Sequence, residues 1–208
     1  MSKKGLTEIV CVLDRSGSMM SIIDDAIGGF NSFLKSQQDL DGDEARISIV
    51  MFDDQYDMIH KSVPITEVQA FTRETYVPRG CTALNDAIGR TIMGIGEIFT
   101  KRDDSEKPEK VIFVILTDGA ENTSTEYTQD QIKALVKQQE DEWKWEFIFL
   151  SSDINAFQQG ASLGFTRSSK LGKSGNSCKH AYCATSDAIS SYRTNGVVSN
   201  IAKEIDVK

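Results

Sequence analysis

The chain has 208 residues, only three prolines, and a formal net charge of −8 from 23 basic and 31 acidic side chains. That length suits one ordinary domain, which buries roughly 70% of the surface its unfolded chain exposes. The acidic balance speaks against general nucleic-acid binding, and no apolar run reaches the ~20 residues of a membrane span.

The first apolar run, residues 6–13, predicts a strand buried on both faces. It stops at Asp14, too short for a signal-peptide core with a cleavage site. Asp14-Arg15-Ser16-Gly17-Ser18-Met19 then reads as a turn carrying one carboxylate and two hydroxyls at alternate positions. Residues 21–38 predict a helix with Ile22, Ile23, Ile27, Phe30, Phe33 and Leu34 on one stripe, and Ser21 as its N-cap. A turn at 39–43 leads to a second strand at 45–52. The tight turn Asp53-Asp54-Gln55 then gives an antiparallel return strand at 56–62. Residues 65–71 are a short element and 76–82 a loop. A helix follows at 83–99, with Gly89, Gly94 and Gly96 weakening its regularity. Strands are predicted at 111–116 and 146–150. Helices are predicted at 128–142, 155–163 and 179–205, the last interrupted at Gly196.

This alternation predicts an α/β fold. The sheet is Rossmann-like, doubly wound and mainly parallel, with one antiparallel edge strand and helices on both faces. It forms one domain over residues 1–208. The mainly helical segment 165–208 packs on that domain and is basic, with seven Lys or Arg against three Asp or Glu.

In such sheets ligands sit beyond the carboxyl ends of the strands. Three loops there carry oxygen donors: Asp14 to Ser18, Gly80-Cys81-Thr82-Ala83-Leu84, and Leu116-Thr117-Asp118-Gly119. Asp14 and Asp118 leave their strands at the carboxyl end and so face one rim. All-oxygen donors suit a hard divalent cation. Each fragment also has a plainer reading: a turn plus helix cap for Asp14, Ser16 and Ser18, a turn for Asp118-Gly119, and a helix cap for Thr82.

Taken in order, Asp14-x-Ser16-x-Ser18, Thr82 and Thr117-Asp118-Gly119 resemble the metal-ion-dependent adhesion site of von Willebrand factor type A (VWA) domains. The resemblance runs from about residue 6 to at least 150. Phe147-Ile148-Phe149-Leu150 followed by Asp153-Ile154-Asn155-Ala156 is similar to intracellular bacterial and phage members. The resemblance implies that Asp14, Ser16, Ser18, Thr82 and Asp118 hold Mg²⁺ or Mn²⁺ in preference to Ca²⁺. It implies a protein partner that supplies a Glu or Asp carboxylate, rather than nucleic acid or membrane. It also implies that ligand entry draws the Thr82 loop inward and shifts the C-terminal helix.

The other residues fill in this picture. Asp53, Asp54 and Asp57 sit at a hairpin on the same rim, where they could select a basic partner but read more plainly as an acidic solvated turn. Glu121 and Asn122 are candidates to line the rim or to approach the next helix, and Arg15 and Arg79 to steer an acidic ligand or to be plain surface charge. Trp143 and Trp145 are expected to pack. His60 and His180 lie outside the three loops, and no nucleophile elbow or phosphate loop is present. A non-enzymatic binding module is therefore expected. A metal-dependent hydrolase and a phage or bacterial assembly protein are the alternatives. Cys11, Cys81, Cys178 and Cys183 have no zinc-ligand spacing and read as reduced thiols of a cytoplasmic protein.

Overall fold

In the computed structural model, which describes residues 2–151, 154–170 and 175–199, the first apolar run forms β1 (Lys3–Asp14), buried from residue 6 to its end. Ile9, Cys11 and Leu13 enter one core, and Val10 and Val12 enter the other. A strand that is apolar on both faces needs cover on both, which makes β1 central. With β2 (Ala45–Phe52), β3 (Tyr56–Pro64), β4 (Pro108–Thr117), β5 (Glu146–Ser151) and β6 (Ser168–Lys170) it builds a sheet of order β3-β2-β1-β4-β5-β6. Among the described strands only β3 pairs antiparallel, at the edge, as the sequence predicts.

Helices α1 (Ile23–Gln38) and α5 (Gly175–Asn195) cover one face, where Phe30, Phe33 and Leu34 meet Ile189 and Tyr192. Helices α2 (Leu84–Thr100) and α3 (Gln129–Trp143) cover the other through Leu84, Ile88, Ile92, Ile95, Ile132 and Val136. Helix α4 (Ile154–Ser162) lies on β5, where Gly160 admits the Phe149 ring; a Cβ there would come within 2.4 Å of it. Helix α3 begins as its sequence foretells. The Thr128 hydroxyl accepts from the Gln131 amide, and the Gln131 side chain accepts from the Thr128 amide.

Three local expectations are corrected. Ser21 does not cap α1. A 3₁₀ turn over Gly17–Ile22 runs straight into that helix and supplies the carbonyls a cap would replace, while the Ser21 hydroxyl donates to the Ser18 carbonyl at 3.1 Å. Helix α2 is unbroken, because Gly89 marks a close approach rather than a weak point. A Cβ on Gly89 would lie 2.6 Å from the Tyr127 ring. Helix α5 starts earlier than expected, at Gly175, and ends at Asn195, where Gly196 takes a φ of +71°. Asp153 and the expected helix end at Ile205 lie outside the described residues.

Two buried charges fix the frame. Arg193 on α5 donates to the Gln37 carbonyl at 2.6 Å, to the Gln37 side chain at 3.1 Å and to the Asp43 carbonyl at 2.8 Å. It thereby ties α5 to the end of α1 and to the turn before β2. Glu8 on β1 accepts from Ser48 of β2 at 2.7 Å and from Ser62 of β3 at 2.5 Å. Burial raises its carboxyl above the ordinary glutamate value, and the two serine hydrogen bonds only partly offset this.

The chain runs outward from β1 to β2 and β3, then returns to place β4 on the other side of β1. The strand order therefore reverses between β1 and β4. Their carboxyl ends open the crevice where open α/β sheets hold ligands. No helix among the described residues is long and apolar enough to cross a membrane.

Candidate functional site

The register of β1 against β4 places Leu13 beside Leu116, so Asp14 and Thr117 end side by side at the switch point. Thr117 donates from its hydroxyl to Asp14 Oδ2 at 2.6 Å, and the Ser16 amide donates to Asp14 Oδ1 at 2.6 Å. The next residue on β4's exit, Asp118, accepts from the Ser18 hydroxyl at 2.6 Å. Ser16 and Ser18 are two apart in the turn, and their hydroxyl oxygens lie 3.1 Å from each other. Thr82 completes the group. A Cβ added to Gly119 would sit 3.0 Å from Thr82 Oγ1, 3.3 Å from Ser18 Oγ and 3.8 Å from Asp14 Oδ2. Thr82, Ser18 and Asp14 thus approach Gly119, where a side chain would crowd them, and Ser16 and Asp118 join the group through Ser18.

The plainer readings of these residues are tested by the same geometry. Ser16 precedes the 3₁₀ turn but makes no side-chain cap, and Ala83, not Thr82, is the N-cap of α2, also with no side-chain cap. The hydroxyls point into the group instead of onto helix ends. Among the described residues no group of three or more His, Cys, Asp or Glu side chains is placed to hold a metal ion. The donor set here is two carboxylates and three hydroxyls, which fits a hard, oxygen-preferring cation of the Mg²⁺ or Mn²⁺ kind.

Asp14 is wholly buried. Burial pushes its carboxyl up to about 6, against the hydrogen bonds from Thr117 and Ser16, and the Asp118 charge adds to the rise. Burial and the same two carboxylates raise the Tyr76 phenol well above its usual value, so it stays a donor, and it donates to the Asp14 carbonyl.

The supporting loops were only partly foreseen. Asn122 holds Thr82 from both sides: its side-chain oxygen accepts from the Thr82 amide at 3.0 Å, and its own amide donates to the Thr82 carbonyl at 3.1 Å. Glu121 does not line the rim. Its carboxylate is taken up by the amides of Asn85, Thr123 and Ser124 and by the Ser124 hydroxyl, at 2.6–2.8 Å. Asp86, unremarked in the sequence, accepts from the amides of Thr125, Glu126 and Tyr127, each at 2.9 Å.

Arg15 and Arg79 do not stand free to steer a ligand. Both donate to Asp53 Oδ2, at 2.9 and 2.8 Å, and Arg15 also pairs with Asp57 at 2.5 Å. Burial pushes the Asp53 carboxyl up, but the Arg79 hydrogen bond, the Gln55 amide and the Arg15 charge outweigh it and hold the group below the ordinary aspartate value. Trp145 packs as expected, stacked on Phe113 at 5.3 Å, whereas Trp143 is 65% exposed. Cys11, Cys81 and Cys183 are free thiols, and the Cys178 side chain lies outside the described residues.

No protein-family model matches the chain, and no curated protein matches it by sequence. Solved structures do. The vWF domain of the type V pili tip protein Mfa5 from Porphyromonas gingivalis superposes with a TM-score of 0.64 at 10% identity, covering 97% of this chain and 98% of that one. The chain has a VWA-like fold. The PilB minor pilin from Streptococcus sanguinis gives a TM-score of 0.62 at 10% identity, over 88% of this chain and 61% of the pilin, so the chain spans less than two thirds of that protein. Manganese-loaded TRAP protein from Plasmodium vivax gives 0.56 at 15% identity, over 81% of this chain and 69% of that one. Two of these three neighbours are pilus proteins, which overturns the expectation of a cytoplasmic protein. That expectation rested on thiols and on a short first apolar run, and neither feature assigns a compartment to a fold that pilus proteins share.

Proposed function

We propose that the chain is a non-enzymatic, metal-dependent protein-binding module. Asp14, Ser16, Ser18, Thr82 and Asp118 would hold a Mg²⁺ or Mn²⁺ ion, and a Glu or Asp side chain of a partner protein is the ligand. When bound, the ion supplies a positive, carboxylate-seeking centre at the rim. The chain's own residues set the charge and shape of that place. Asp14 and Asp118 supply the two negative charges that balance a divalent cation. The three hydroxyls add neutral oxygens without excess charge, so the loaded site keeps its attraction for an outside acid. Gly119 keeps the centre clear of a side chain.

The observation that carries this reading is the approach of the Thr82 and Ser18 hydroxyls and the Asp14 carboxylate to Gly119 at the strand-order reversal, with Ser16 and Asp118 joined to them through Ser18. The manganese-loaded TRAP neighbour supports the choice of a divalent cation for this fold, and the pilus-protein neighbours support a binding role over a catalytic one. His60 lies opposite Ile49 in the middle of the β2–β3 pairing, away from the strand ends, so it offers no general base at the rim.

Panning a random peptide display library on the immobilised protein in Mg²⁺ tests the proposal. Recovered peptides are expected to share an obligatory Asp or Glu, to be released by EDTA, and to be lost on Asp118→Ala protein. Enrichment of peptides that lack an acidic residue and survive EDTA would contradict it.

A further inference from the structure

We propose that Asp53 is the positioning residue that sets the spacing between the two loops which carry the hydroxyls of the site; what that spacing serves rests on the metal-site reading above. Asp53 is wholly buried, yet it follows the last residue of β2 in what the sequence presents as a solvated acidic turn. Its side chain reaches two loops at once. Oδ2 accepts from Arg15 Nε, in the turn between Asp14 and Ser16, and from Arg79 Nε, three residues before Thr82. Oδ1 accepts from the Gln55 amide at 2.6 Å, which locks the carboxylate to its own hairpin. Its carbonyl accepts from the Ala83 amide at 2.9 Å, the residue after Thr82.

The backbone repeats the link. The Arg79 amide donates to the Arg15 carbonyl at 2.8 Å, and the Gly17 amide donates to the Gly80 carbonyl at 3.2 Å. Gly80 takes a φ of +67°, and a Cβ there would lie 2.4 Å from Asp54 Oδ1, so the loop passes close against the side chains of the hairpin. One buried carboxylate therefore sits where the Ser16–Ser18 turn, the Thr82 loop and the β2–β3 hairpin meet. Two guanidinium groups share one of its oxygens, a charge-assisted arrangement with fixed directions. The hydrogen bonds that the Asp53 side chain accepts come from Arg15, Arg79 and Gln55, outside the five site residues. Its effect on them passes through Arg15, Arg79 and Ala83, in the way that outer partners orient the groups that hold a metal.

The test uses amide hydrogen exchange in EDTA followed by Mn²⁺ titration on wild type, Asp53→Asn and Arg79→Gln. Arg79 is half exposed at its side chain, which makes Arg79→Gln a variant that folds even if Asp53→Asn does not. Faster exchange is expected at the amides of Gly17 and Ala83, with the β4 amides of Ile112 and Val114 unchanged. Mn²⁺ affinity is expected to fall about tenfold in both variants. The fall caused by Arg79→Gln should disappear in a Thr82→Ala background, where there is no hydroxyl left to place. Unchanged exchange at Gly17 and Ala83 would overturn the proposal whatever the metal does. An equal loss of affinity with and without Thr82 would also overturn it. Faster exchange in protein that takes up no Mn²⁺ even as wild type would uphold Asp53 as the link between the loops and sink the metal reading alone.

Discussion

Asp14→Asn is expected to melt higher than the wild type in EDTA at pH 7.5 and to gain nothing from Mg²⁺. Asp14 is buried at the end of the central strand, with its carboxyl pushed by burial from the ordinary aspartate value of 3.8 up to about 6. A raised acid binds its proton more tightly in the folded chain than in the unfolded one. Its contribution to stability is complete below about pH 4 and is lost as pH rises through about 6. At neutral pH the buried anion therefore costs the folded chain about 3 kcal/mol, taken at 1.36 kcal/mol per unit. An asparagine keeps the shape and removes the charge. Its amide can donate to Thr117 Oγ1, whose own proton then turns to the Gly119 carbonyl, 2.9 Å away. Allowing for imperfect replacement, a gain of about 1–3 kcal/mol is expected, or roughly 2–12 °C in melting temperature for a chain of this size. Divalent metal at about 100 times its dissociation constant should add ~2.7 kcal/mol to the wild type and nothing to the variant. Thermal melts at pH 5 and pH 7.5, with EDTA and with Mg²⁺, would show the reversal. In EDTA the wild type should melt lower at pH 7.5 than at pH 5. A variant that is less stable in EDTA, or stabilised by Mg²⁺ like the wild type, would contradict this account of Asp14.

Asp86→Ala is expected to cost about 3–4 kcal/mol. Asp86 stands in the first turn of α2, is 7% exposed, and accepts from three successive amides of the loop that follows Asp118. Hydrogen bonds to a charged acceptor contribute about 1.5–3 kcal/mol each, and the loss is softened where water reaches the freed amides. The same loop seats the Tyr127 ring on Gly89, so its release also uncovers apolar surface on α2. Urea unfolding should show a lower midpoint with an unchanged slope. Asp86→Asn keeps one oxygen acceptor and should lose about half as much. A change below about 1 kcal/mol for the alanine variant would mean that the loop is held from elsewhere, through Glu121 or Asn122.

The architecture was open to a reading of the sequence because its causes are local. Residues 6–13 are apolar without a break, and only a central strand covered on both faces accommodates that pattern. The meeting of Asp14, Ser16, Ser18 and Asp118 was legible for a related reason: one tight turn and two strand ends that adjacent parallel strands must bring level set their spacing, whereas Thr82 arrives on a separate loop before α2. The residues around them were not legible, because their roles exist only across the fold. Asp53 lies in an Asp-Asp-Gln turn that looks solvated, and its burial follows from Arg15 and Arg79 arriving from positions 38 and 26 residues away. Asp86 looks like an ordinary acidic residue of a helix first turn until the loop 39–41 residues later lies against it. Ser21 misled because it has a capping residue's chemistry, while the preceding 3₁₀ turn had already supplied the partners.

Titration calorimetry of MnCl₂ into the chelator-stripped protein bears most directly on the site. One ion per chain, with the heat lost in Asp14→Asn and in Asp118→Ala, is the result expected if the five site residues form a metal centre. Equal uptake by wild type and both variants, or no uptake by folded wild type at millimolar Mn²⁺, would contradict it.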